Sequence, residues 1–151
     1  MRTIETAIEI PAPADAVWAV VTDFAAYPEW NPFMVNIAGD REPGNRLAVT
    51  MQNPGGRPTK FRPVVLASEG RSLRWVGKVL VRGVFDGAHE LRVEPTATGS
   101  RFVQREEFSG ILLPIVWRTL NTKTRAGFEA MNEALKARVA VTPGVAVPDC
   151  A

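Results

Sequence analysis

From Ile111 onward the hydrophobic period changes, and that change limits the fold more than any other feature of the chain. Phe128, Met131, Leu135 and Val139 recur three and four residues apart, with Lys123, Arg125, Glu129, Glu133 and Lys136 among them. This spacing predicts one long amphipathic helix, from near Pro114 to about Val139. The chain before it reads mainly as strands. Residues 3 to 10 alternate, with Ile4, Thr6, Ile8 and Ile10 on one face. Further strands are expected over 33–38, 46–52, 59–69, 72–81, 84–93 and 101–109, each closed by glycine, proline or asparagine. The longest loop signal is Asn53 to Pro58. Short turns between successive strands imply an antiparallel meander. A seven-stranded sheet of this kind is twisted and needs its apolar face covered, and the long helix is the only element able to cover it.

One segment interrupts the strands. Pro11-Ala12-Pro13 stops the first of them, and Pro13 suits the start of a helix whose buried stripe is Val17, Val20, Val21 and Phe24. Asp15 in its first turn complements the helix dipole. The helix runs into Tyr27-Pro28-Glu29-Trp30-Asn31-Pro32-Phe33, where two prolines are expected to break it and hold the aromatics on a stiff corner.

Composition excludes several function classes. At 151 residues, with 46% hydrophobic and 23% charged residues, the chain has the balance of one globular domain. Its net charge is +2, and the arginines are scattered rather than gathered into the basic stripe that nucleic acid binding needs. The single cysteine, Cys150, permits no intrachain disulfide, and the first residues carry no apolar leader. No apolar run approaches a membrane span. The cytoplasm is the expected compartment. One histidine and one tail cysteine cannot build a zinc site, and no carboxylates have calcium spacing. Ser68, Ser72, Ser100 and Ser109 have no recognisable partner set for nucleophilic catalysis. No phosphate-loop pattern occurs, so no cofactor is expected.

The remaining polar candidates are few. His89 shares parity with Leu91 and Val93 and is expected to point inward, where an imidazole fills the wall, contacts a ligand or moves a proton. Glu106 and Glu107 face opposite ways on the last strand. Phe102, Gln104, Glu106 and Phe108 share a face whose aromatic ends suggest that it is inward, and a strand bulge would exchange the two glutamates. His89 and Glu107 are the candidates for proton transfer. Trp75 alternates with Gly77, a residue that leaves room for a ligand. Met51 and Phe61 belong to neighbouring strands, and Trp117, Leu120, Thr124 and Phe128 share the helix surface that should face the sheet. Core packing accounts for each of these singly.

Four local patterns carry a family resemblance: Ile10-Pro11-Ala12-Pro13 with Val17-Trp18; Asp23-Phe24 with the Tyr27 to Pro32 corner; Glu107-Phe108-Ser109-Gly110; and the final helix with Phe128 and Leu135-Lys136. In this order they resemble the START-like (SRPBCC) superfamily, in particular its polyketide cyclase/dehydrase and lipid-transport group, with the Bet v 1-like helix-grip fold. The resemblance implies an α+β domain over residues 1–140, with two short helices after the first strand and a curved sheet around the C-terminal helix. Residues 141–151 would be a flexible tail. It further implies an apolar cavity between sheet and helix for a small hydrophobic ligand such as a lipid or polyketide. Trp30, Phe33, Met51, Phe61, Trp75, His89, Gln104, Glu106, Trp117, Leu120, Thr124 and Phe128 are the expected contacts, with Trp30 and Phe33 gating the cavity. The fold serves binders, carriers and enzymes alike. A cyclase or dehydratase-like enzyme and a protein-interaction module meeting Tyr27 and Trp30 are therefore the alternatives. Monomer and dimer are equally compatible with the sequence.

Overall fold

The computed structural model describes residues 1–79 and 83–142. The tail beyond 142, with Cys150, lies outside the described residues, as does the end of the strand expected over 72–81. The element order is β1 (Arg2–Ile10), α1 (Ala14–Thr22), a 3-10 turn (Phe24–Ala26), α2 (Tyr27–Trp30), β2 (Met34–Ala38), β3 (Ala48–Met51), β4 (Thr59–Phe61), β5 (Val64–Glu69), β6 (Ser72–Val79), β7 (Phe85–Thr96), β8 (Gly99–Ser109) and α3 (Leu113–Val141). The strands form a five-stranded antiparallel sheet in the order β1-β8-β7-β6-β5 and a three-stranded sheet in the order β2-β3-β4. The fold is α+β, a helix grip in which α3 packs on the larger sheet.

The sheets depart from the expected single seven-stranded one because the 59–69 strand is cut at Arg62-Pro63. Pro63 has no N–H for a ladder, and its carbonyl accepts from the Leu47 amide at 2.9 Å. The chain before it stays on β3 as β4, and the chain after it moves to β6 as β5. One bridge, Arg46 to Val64, ties the sheets together at this crossing.

Helix α3 has 29 residues, roughly 43 Å of helix. Its expected stripe of Phe128, Met131, Leu135 and Val139 is buried, and the charged residues expected among them, Lys123, Arg125, Glu129, Glu133 and Lys136, are exposed. A polar chain crosses this core. The Gln104 amide donates to the Phe128 carbonyl (3.1 Å) and the Asn132 side-chain oxygen (2.7 Å), and Asn132 donates to the Thr6 hydroxyl (3.1 Å). Sheet and helix thus have a fixed register, because each shift would leave a buried amide unpaired.

The aromatic corner differs from its expectation. Pro28 does not break a helix but lies in the first turn of α2, where its missing N–H is no loss. Asn31 ends α2: its side-chain oxygen accepts from the amides of Phe33 (3.0 Å) and Met34 (2.9 Å), turning the chain into β2. Tyr27 is fully buried between Phe24 and Trp30, edge to face with each, and its hydroxyl donates to the Val21 carbonyl.

Burial pushes the Tyr27 phenol well above its ordinary value near 10. The neutral form is favoured in the fold, so this contribution is complete below about pH 10 and is lost as pH rises beyond it, by up to about 1.4 kcal/mol per pH unit. Tyr27 is the chain's one tyrosine. An alkaline titration followed at 295 nm should therefore show no tyrosinate in the native protein near pH 10. Tyrosinate should appear only together with the unfolding signal in circular dichroism.

Candidate ligand-binding cavity

A cavity of about 370 Å³ lies between the larger sheet, the β3–β4 sheet and α3. Its walls are mainly apolar, with the aromatics Phe33, Phe61, Trp75, Phe85 and Phe108 joined by Met51 and by Leu120 of α3. Two glycines form part of its floor. Gly77 and Gly87 are direct cross-strand partners on β6 and β7, and both line the space. Paired side chains on one face would stand roughly 5 Å apart and fill this floor. A Cβ on Gly77 would lie 3.3 Å from the Phe61 ring, and one on Gly87 would lie 2.6 Å from the Glu106 carboxylate. The glycines thus leave space into which other residues' side chains project.

Alternation along β8 sends Gln104, Glu106 and Phe108 inward and Arg105 and Glu107 outward. Glu106 reaches the cavity wall with its side chain 13% exposed. Its cross-strand partner is His89, whose Nδ1 lies 3.4 Å from Glu106 Oε2. The imidazole is 1% exposed, stacked on Trp75 at 5.1 Å and met edge-on by Phe128 at 5.0 Å. Neither of its ring nitrogens has a hydrogen-bond partner among the described residues. His89 thus sits behind the wall and presents its one polar contact to Glu106. A carboxylate in an apolar wall, held by a single long contact, retains acceptor capacity toward whatever occupies the space.

The expected contacts divide into wall and backing. Phe33, Met51, Phe61 and Trp75 line the cavity, with Glu106 and, from α3, Leu120 and Thr124. Trp30, His89, Gln104, Trp117 and Phe128 do not. Trp30 packs on Tyr27 in the corner, so Phe33 alone carries the corner's aromatic surface to the cavity. Gln104 is committed to the core network, and Phe128 supports Phe33 and His89 from behind. Trp117 packs on Phe108 under the Arg2 guanidinium. Glu107 is corrected: it lies on the outer face, 3.3 Å from Arg74 and 2.7 Å from Arg105, and has no access to the cavity. Of the two glutamates, Glu106 is the one in position to meet a ligand.

Sequence reasoning missed Phe85, Gly87 and the polar rim of Asn53, Arg57, Lys60 and Lys78. Phe85 stacks on Phe108 at 5.6 Å, diagonally across the β7–β8 ladder, a contact that no single-strand pattern shows.

A sheet gripping one long helix, with an aromatic cavity between them, defines a helix-grip domain. The chain belongs to the polyketide cyclase/dehydrase and lipid transport family, whose model matches residues 1–140. Solved structures share the fold at low identity. A START superfamily protein from Mycobacterium smegmatis is 19% identical with a TM-score of 0.72, over 91% of this chain and 97% of that one. BexL, a di-domain ARO/CYC protein of the BE-7585A biosynthetic pathway, is 13% identical with a TM-score of 0.72, over 94% of this chain and 51% of BexL. Ara h 8.0201 is 16% identical with a TM-score of 0.65, over 93% and 99%. No curated protein matches the sequence.

Proposed function

We propose that the chain binds a small hydrophobic or aromatic molecule, of lipid or polyketide type, in the cavity between sheet and α3. The observation that carries this reading is an aromatic-walled space of about 370 Å³ floored by a cross-strand glycine pair. That volume is within the usual range for sites holding small organic ligands. Affinity would come from burying apolar surface, at roughly 25 cal/mol per Å² before the cost of association. Glu106 would orient the ligand by accepting a hydrogen bond, with His89 holding the carboxylate in place. The cytoplasm is the compartment in keeping with a single cysteine.

The test is uptake of the neutral fluorescent probe N-phenyl-1-naphthylamine. Wild-type protein is expected to enhance its emission saturably. Gly77→Val, which puts a branched side chain against Phe61, is expected to weaken binding by about tenfold or more while the fold is kept. Absence of uptake by wild-type protein would sink the proposal.

A second reading, a cyclase- or dehydratase-like enzyme, is favoured by the Glu106–His89 pair at the wall. Proximity would supply most of the rate, by holding a flexible chain folded, and Glu106 would move the proton. Glu106→Gln separates the readings in the same experiment. Probe binding should survive it in either case, and only an enzyme would lose turnover of a linear poly-β-keto thioester.

A further inference from the structure

We propose that the start of α3 docks on an anionic lipid surface. Four aliphatic residues stand exposed within six positions: Ile111 (76%), Leu112 (37%), Ile115 (81%) and Val116 (38%). The other large exposed hydrophobics among the described residues, Met1, Leu66 and Val141, are scattered singly along the chain. Scattered apolar residues need no explanation, but a contiguous exposed cluster does.

Charge gives the second, independent observation. From Phe108 to Phe128 the sequence holds Arg118, Lys123 and Arg125 and no acidic residue. Helix starts ordinarily favour acids, which offset the positive end of the dipole. Here the first turn of α3 has none. Arg2 adds a guanidinium 5.0 Å above the Trp117 ring beside the cluster. Exposed aliphatics, the cations Arg118 and Arg2, and a half-buried tryptophan at one helix end are the combination that settles at a bilayer interface. The side chains enter the acyl boundary, and the cations meet phosphate groups. Docking here means lying on the surface, since no helix among the described residues is long and apolar enough to cross a membrane. A second copy of the chain fits the patch poorly. A two-fold contact would bring each copy's Arg118 and helix N-terminus against the same groups of the other.

The patch abuts the cavity. The Ile111 and Leu112 amides donate to the carbonyls of Gly83 (3.1 Å) and Val84 (3.2 Å), and the next residue, Phe85, is a cavity wall. Further along α3, Leu120 and Thr124 are also wall residues. Docking would therefore bring one end of the cavity to the lipid, although the docking itself does not depend on what the cavity holds.

Vesicle flotation tests this with the full chain. Binding is expected to vesicles of phosphatidylcholine mixed with phosphatidylglycerol, and to fall with added salt and in pure phosphatidylcholine. Ile111→Asp with Ile115→Asp, at exposed positions, should lower partitioning by about tenfold or more, and Arg118→Glu should lower it on the order of tenfold. Melting curves like wild type would confirm that these variants fold. Absent or charge-indifferent vesicle binding, or binding unchanged in both variants, would overturn the proposal. So would a wild-type dimer in light scattering that the aspartate pair dissociates. Probe uptake without vesicles reports on the cavity separately, so either idea can fail alone.

Discussion

Replacing Phe128 with alanine is expected to lower stability by about 3–5 kcal/mol, the cost of removing a fully enclosed aromatic ring. Phe128 has 0% exposure and sits where three parts of the fold meet. Its ring meets Phe33 from the corner at 5.5 Å and His89 from β7 at 5.0 Å, both edge to face. Its carbonyl accepts the Gln104 amide of β8. No neighbour can collapse into the vacated space without giving up another contact, so the cavity term adds to the transfer term. The total stability of a domain is about 5–15 kcal/mol, so the loss is a large share of it. The melting temperature should fall by roughly 6–20 °C for a chain of this size. Urea denaturation checks the value, and Phe128→Leu, which keeps most of the volume, should cost well under half as much. A loss below about 1 kcal/mol for Phe128→Ala would show that the ring is not the junction its contacts describe.

Much of this junction is legible in the sequence because it rests on local periods. Alternation in β1 places Ile4, Thr6 and Ile10 inside, and three-and-four spacing in α3 places Met131, Leu135 and Val139 inside; all six are buried. The parity of His89 with Leu91 and of Glu106 with Phe102 and Phe108 likewise follows from a two-residue period that no bulge interrupts in β7 and β8. What the sequence could not settle depends on which strand lies beside which. The strand expected over 59–69 runs straight through Pro63; that the Pro63 carbonyl serves Leu47 while the chain changes sheets is a tertiary fact. The corner differs from its expectation for a related reason. Pro28 stops a helix only if one is already running, and here it starts a new one.

The site divides along the same line. Gly77 is legible as a gap in an otherwise inward-facing row, yet its meaning comes from Gly87 across the ladder, a pairing that belongs to the β6–β7 register. His89 reads as a contact residue because it faces inward, but facing inward and reaching the cavity are different conditions. Trp75, stacked on the imidazole, holds the wall position in front of it. The rim residue Arg57 lies in a loop, where no period exists to orient it.

Gly127→Val is expected to damage both stability and binding, because Gly127 is the notch in α3 that receives Phe33. A Cβ at this buried position would lie 2.5 and 2.6 Å from two Phe33 ring carbons and 3.1 Å from the Asn53 side-chain oxygen. The ring has little freedom to retreat, being 2% exposed and packed edge-on against Phe128. Overpacking of this kind costs about 1–3 kcal/mol, and the better helix propensity of valine returns only a few tenths. The ring's other free side is the cavity, which Phe33 already lines. Relief of the clash would therefore push Phe33 into the cavity, and affinity for N-phenyl-1-naphthylamine should fall together with stability. A double-mutant cycle isolates the cause. In a Phe33→Ala background the same valine has room, so its destabilisation should shrink by about 1 kcal/mol or more, a coupling expected only of residues in contact. Equal costs in the two backgrounds would mean that the valine acts on helix α3 itself and not through Phe33. The link from corner to cavity would then be lost.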